Sequence, residues 1–215
     1  MNFDGCFFDL DGTLCDTAPD ILGCWRKTLE RRGLDWRRFE REFQIGPPLE
    51  PTVREIFREE TRQWCEELIA EFRAIYVSCG FPETRPYPGI PELLARLQAQ
   101  GAELFVATNK LLQPSREILK RNGWSDLFRK VFAPDLIAGE RHSKAELLSL
   151  AVREYGLRPS RCVMIGDTAG DVKAGKAAGM EAVGVLWGYG GEAELTAAGA
   201  DRIGNCEELL RRELI

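Results

Sequence analysis

The stretch FFDLDGTLCDT, residues 7–17, sets two acids, Asp9 and Asp11, directly behind an apolar run and then turns at once. A strand that ends in a polar turn, with an aspartate capping the next element, would read the same way. A site differs from such a turn only if the rest of the chain supplies partners for the two carboxylates.

Further short apolar runs bounded by turns come after the first one (FDGCFFD, 3–9): ELFVAT (103–108), KVFA (130–133), RCVMIG (161–166) and EAVGVL (181–186). Between the later runs lie stretches of helical period that stop at Gly101, Gly123, Gly156 and Gly179, the residue type that ends helices. Strand and helix alternate. The expected fold class is therefore α/β, a doubly wound, Rossmann-like parallel sheet with helices on both faces. An order of 3-2-1-4-5 by chain order would put the first and fourth runs side by side at the point where the order reverses.

The first crossover breaks the rhythm. Residues 10–102 separate the first run from the second, where one helix would suffice, and from 17 to 85 the pattern is almost wholly helical. Proline-bearing joints, TAP (17–19) and RPYPG (85–89), stand at both ends. The expected organisation is an α/β core of residues 1–16 and 86–215 with a small all-helical cap, 17–85, over the strand ends.

The 215 residues are 44% hydrophobic, enough for one core carrying an insert, and the net charge of −5 with intermixed signs argues against a nucleic-acid partner. No apolar run approaches the roughly 20 residues of a membrane helix, and no signal-like segment opens the chain, so neither a membrane nor secretion is expected. Seven cysteines without a C-x-x-C pair point to reduced thiols and a cytoplasmic location. The single histidine, His142, removes any multi-histidine metal site, and two residues before Lys144 it reads as a loop or helix-start residue. The glycines of WGYGG (187–191) lack the G-x-G-x-x-G spacing and read as a plain loop.

Four places where a strand run ends or the next helix opens carry polar residues suited to one chemistry: Asp9 with Asp11; Thr108 with Asn109; Lys144; and Asp167 with Asp171 in GDTAGDV. In a doubly wound sheet ligands sit beyond the C-terminal strand ends, where Asp9 and Asp167 would face each other. Such carboxylates make an oxygen-only site of the kind magnesium (Mg2+) takes, and without a cation they would raise one another's pKa. A phosphate ester accounts for the rest. Asp9 could attack phosphorus, Asp11 could protonate the leaving oxygen and then activate water, and Thr108, Lys144 and backbone N–H groups could hold the phosphoryl oxygens.

DLDGT, the TN at 108–109, Lys144 and GDTAGD, in that order, resemble the four motifs of the haloacid dehalogenase superfamily over essentially the whole chain. The insert after the first motif is similar to a helical type-one cap. TNK at 108–110, IGPPL at 45–49 and WGYG…AGAD resemble the phosphoglycolate phosphatase-like branch. The resemblance implies Asp9 as nucleophile, Asp11 as acid/base and donor of a backbone carbonyl to magnesium, Asp167 as a further ligand and Asp171 as a supporting acid. It implies phosphate binding by Thr108, Asn109 and Lys144. The motif lysine is often followed by proline, whereas this chain reads SKAEL, and Lys110 lies close to the same site.

The expected function is magnesium-dependent hydrolysis of a small phosphorylated metabolite by a monomer or homodimer. A phosphosugar mutase or a 5'-nucleotidase of the same fold are alternatives within enzymes. A receiver-like phosphoacceptor is the non-enzymatic one, but it would be shorter and lack a helical lid. Specificity is expected from the lid, with Gly46 and Pro47 in the IGPPL loop as its tip: Gly46 permits close backbone approach and the prolines stiffen the loop.

Overall fold

The computed structural model describes residues 3–210. Strand β1 (Gly5–Phe8) is buried along its whole length, as a central parallel strand covered on both faces must be. Its alternating side chains divide between two cores. Phe7 stacks on Phe105 at 4.7 Å on one face, while Cys6 and Phe8 enter the larger apolar cluster on the other.

From β1 the chain turns into β2 (Cys15–Asp16) and then runs through four helices: α1 (Ala18–Arg31), α2 (Trp36–Glu42), α3 (Leu49–Ile56) and α4 (Arg62–Ser78). It returns through β3 (Arg85–Pro86), which pairs antiparallel with β2, so the outgoing and returning crossings form one short ribbon. The helical unit closes around Trp25, stacked on Phe72 at 4.1 Å and packed on Phe39 at 4.7 Å. The remaining elements alternate: α5 (Ile90–Ala99), β4 (Glu103–Ala107), α6 (Leu112–Arg121), β5 (Lys130–Phe132), α7 (Lys144–Tyr155), β6 (Cys162–Gly166), α8 (Ala169–Ala177), β7 (Glu181–Val185), α9 (Glu192–Ala197), β8 (Arg202–Gly204) and α10 (Cys206–Leu210).

The six strands lie in the order β5-β4-β1-β6-β7-β8, and every pairing is parallel. The five apolar runs of the sequence keep the expected 3-2-1-4-5 order. One correction concerns the edge, where β8 adds a sixth strand. It has three residues, Arg202 and Ile203 are only half-buried, and no apolar run marks it. No helix among the described residues is long and apolar enough to cross a membrane.

The ribbon is secured by Asp20 on α1, itself buried. Its carboxylate accepts from the backbone N–H of Glu83 (3.1 Å), the N–H of Thr84 (2.7 Å) and the Thr84 hydroxyl (2.8 Å). Removing it strands these donors at the crossing. Asp20→Ala is expected to lower unfolding stability by about 2–3 kcal/mol in urea denaturation; a loss under about 0.5 kcal/mol would mean the crossing is held by packing alone.

Candidate active site

The motif residues converge at the C-terminal ends of β1, β4 and β6, the three central strands. Asp9 and Asp11 follow β1, Thr108 and Asn109 follow β4, Asp167 follows β6, Asp171 lies in the first turn of α8 and Lys144 opens α7. One oxygen from each of Asp9, Asp167 and Asp171 lies within 4.8 Å of the others, and all three residues are buried.

Each acid of this cluster is held from a different direction. Asp9 accepts the Leu10 N–H at 2.7 Å and pairs with Lys144 at 3.1 Å. Lys144 also pairs with one oxygen of Asp171, whose other oxygen accepts the Thr168 N–H (3.0 Å) and hydroxyl (2.7 Å). Asp167 accepts the Thr13 hydroxyl and the Tyr189 N–H, both at 2.8 Å. The backbone crowds Asp167: a Cβ on Gly190 would lie 1.9 Å from its carbonyl oxygen.

Burial and the charges of Asp171, Asp167 and Asp11 push the Asp9 carboxyl up to about 8 against the pull of Lys144. Burial and Asp171 push Asp167 to about 6. Burial alone would lower Lys144, but Asp171 and Asp9 hold its ammonium above the usual lysine value. With Asp11 and Lys110 included, four buried or nearly buried carboxylates face two ammoniums. The two uncompensated negative charges, on oxygen donors alone, fit one hard divalent cation.

Asp11 stands apart from this cluster. Its carboxylate accepts the Thr17 hydroxyl at 2.7 Å and pairs with Lys110 at 3.0 Å. Lys110 in turn donates to the Tyr76 hydroxyl at 2.8 Å, from the helical unit. Asp11 lines a cavity of about 100 Å³ between that unit and the sheet, with Tyr76, Asn109, Lys110, Gly46 and Pro47 also in its wall.

Thr108 is buried and its hydroxyl accepts the Lys110 N–H at 3.2 Å. The Asn109 side chain donates to the Gly46 carbonyl at 2.9 Å, so the 45–49 loop rests on the end of β4. Gly46 has φ +113, and a Cβ there would lie 2.7 Å from Thr168 Cγ2, which makes glycine the fitting residue at this approach. His142 sits in the loop before α7, within 3.0 Å of Glu140.

Sequence reasoning missed several residues. Thr13 is the last letter of DLDGT, yet its hold on Asp167 needs the fold to be seen. Tyr189 lies in the WGYGG loop, which reads as plain in sequence. Its hydroxyl accepts the N–H groups of Thr17 (2.8 Å) and Ala18 (2.9 Å) and donates to Asp16 (3.0 Å). Lys110, to which the sequence assigns no role, is the partner of Asp11.

Residues 6–185 match the model of the haloacid dehalogenase-like hydrolases. The chain belongs to this family. It is 34% identical over 199 residues to a 5'-nucleotidase of Pseudomonas aeruginosa, covering 92% of this chain and 89% of the relative. It is 33% identical over 183 residues to a phosphoglycolate phosphatase of Aquifex aeolicus, covering 85% and 84%. The tyrosine-protein kinase PtkA of Mycobacterium tuberculosis is 37% identical over 184 residues, covering 85% of this chain but only 62% of that longer protein. The crystal structure of a predicted phosphatase from Clostridium acetobutylicum superposes with a TM-score of 0.87 at 27% identity, covering 99% of this chain and 98% of that one. This haloacid dehalogenase-like chain is thus a phosphatase of the phosphoglycolate phosphatase-like branch.

Tyr189 joins Asp167 to the start of α1 through one side chain and its own N–H. In Tyr189→Phe the N–H bond to Asp167 remains, the Thr17 amide loses its acceptor, and the Ala18 amide keeps the Asp16 carboxylate at 3.1 Å. Hydrogen exchange at the Thr17 amide is expected to quicken by about tenfold or more; unchanged protection there would show that the phenol does not hold the crossing.

Proposed function

We propose that this phosphatase hydrolyses a small phosphomonoester with magnesium through an aspartyl-phosphate on Asp9, with Asp11 as general acid/base. The observation that carries the proposal is the separation of the two motif acids. Asp9 belongs to the buried acid cluster with Asp167 and Asp171, whereas Asp11, two residues on, lines the cavity. A nucleophile belongs beside the cation and the phosphoryl group, and a proton donor belongs beside the leaving group.

Asp9, Asp167 and the Asp11 carbonyl would hold magnesium, which when bound offsets charge on the phosphoryl oxygens. Asp9 attacks phosphorus as the ester oxygen departs with a proton from Asp11. Asp11 then takes a proton from the water that cleaves the phosphoaspartate. Lys144, the Thr108 hydroxyl and the Asn109 backbone N–H bind the phosphoryl oxygens. Asp171 positions Lys144, and Lys110 with Thr17 fixes the direction of Asp11. Residues 17–85 act as a cap domain on a core of 1–16 and 86–215, and Gly46 and Pro47 face the leaving group. The cavity beside Asp11 is small, about 100 Å³. That favours a small metabolite, phosphoglycolate or one like it, over a nucleotide. The seven unpaired thiols suit a cytoplasmic site of action.

Asp9→Asn keeps the shape and removes the attacking charge, so turnover is expected to fall by orders of magnitude with the thermal unfolding profile intact. Asp11→Asn should cost alkyl phosphates about 10²–10⁴-fold and p-nitrophenyl phosphate, with its acidic leaving group, distinctly less. Equal losses on both esters would remove Asp11 from proton transfer.

Chelation is expected to abolish phosphate release and magnesium to restore it, with calcium restoring it poorly because its looser coordination misplaces the nucleophile. Asp167→Asn should also weaken magnesium binding in calorimetry. Full activity in excess chelator would contradict the metal assignment.

A further inference from the structure

The cavity beside Asp11 contains one cation that no described residue engages directly. Its other charged and amide groups at the core end are committed: Lys110 to Asp11 and Tyr76, Asp11 to Thr17, Asn109 to the Gly46 carbonyl. Arg73, on α4, lines this cavity and also the adjoining one that reaches Lys144. Among the described residues no hydrogen bond or ion pair engages its guanidinium, and only the more distant charges of Arg141, Glu50 and Asp135 act on it. Burial, first, and Arg141, second, pull its pKa down.

The wall around it is largely apolar, with Ile21, Trp25, Phe72, Val77 and Leu111. Buried Trp25 adds an indole N–H without an acceptor. A half-buried guanidinium facing apolar side chains is unfavourable unless an anion completes it, and its planar fork matches a carboxylate through two parallel hydrogen bonds.

We propose that Arg73 is a specificity-determining residue that binds the carboxylate of a phosphoglycolate-like leaving group. The inference rests on the phosphatase reading and adds to it the helical-unit residue that recognises the leaving group. A planar carboxylate on a short carbon stem fits the small cavity, whereas a second, tetrahedral phosphoryl group would crowd it.

The test compares 2-phosphoglycolate with its neutral amide, 2-phosphoglycolamide, on the full chain with magnesium. The wild-type protein is expected to favour the acid in kcat/KM. In Arg73→Gln that preference should shrink by about tenfold or more, chiefly through KM, and Arg73→Lys should recover part of it. Glycolate should likewise inhibit the wild-type protein at lower concentration than glycolamide, a measurement that needs no variant. A wild-type protein that turns over both esters alike, or a folded Arg73→Gln that keeps the full preference, overturns the Arg73 assignment alone. If the wild-type protein releases phosphate from neither ester nor from p-nitrophenyl phosphate, the phosphatase reading itself fails.

Discussion

The constraint on which the rest depends is the burial of four carboxylates with two ammoniums at one end of a parallel sheet. In water such a group would disperse; here the strand order forces it together, because β1 lies between β4 and β6. Every neighbouring feature serves to hold that charge in place. Lys144 is shared by Asp9 and Asp171, and Thr13 and the Tyr189 N–H fix Asp167. Gly12, Gly188 and Gly190 bring bare backbone against Asp167, where a Cβ would lie within 2.5 Å of its atoms. The raised carboxyls of Asp9 and Asp167 express the same imbalance, which a divalent cation would relieve.

A second set of contacts ties this charged end to the helical unit. Lys110 bridges Asp11 to Tyr76, Asn109 holds the Gly46 carbonyl, and Tyr189 holds the first residues of α1. These bonds run from the ends of β4 and β7 to three separate parts of the unit. A shift of the unit therefore changes the surroundings of Asp11 directly, which is how closure over a substrate could complete the acid/base arrangement.

The central sheet and the four motifs were legible because their signals are local. Buried parallel strands read as continuous apolar runs, and the acids sit immediately behind them. Asp9, Asp11, Thr108, Asp167 and Asp171 are found by that rule. The illegible part depends on contacts distant in the chain. Tyr189 reaches Thr17 across 172 residues from a loop whose glycines suggest only a turn. Arg73 reads as one more charge on an amphipathic helix, and only the lack of a direct partner among the described residues distinguishes it. The edge strand β8 escapes because an edge needs little apolar surface, and its three residues show no period.

The central claim is that Asp9 becomes phosphorylated. Acid quenching during turnover of a phosphomonoester with magnesium, followed by mass spectrometry of the digested protein, tests it most directly. The peptide that contains Asp9 is expected to carry a phosphoryl group that hydroxylamine removes, as an acyl phosphate requires, and with p-nitrophenyl phosphate, whose leaving group needs little protonation, Asp11→Asn should increase its yield by slowing the hydrolytic step. Turnover with no trapped phosphoryl group in either protein, or a phosphoryl group on any other residue, would contradict the account.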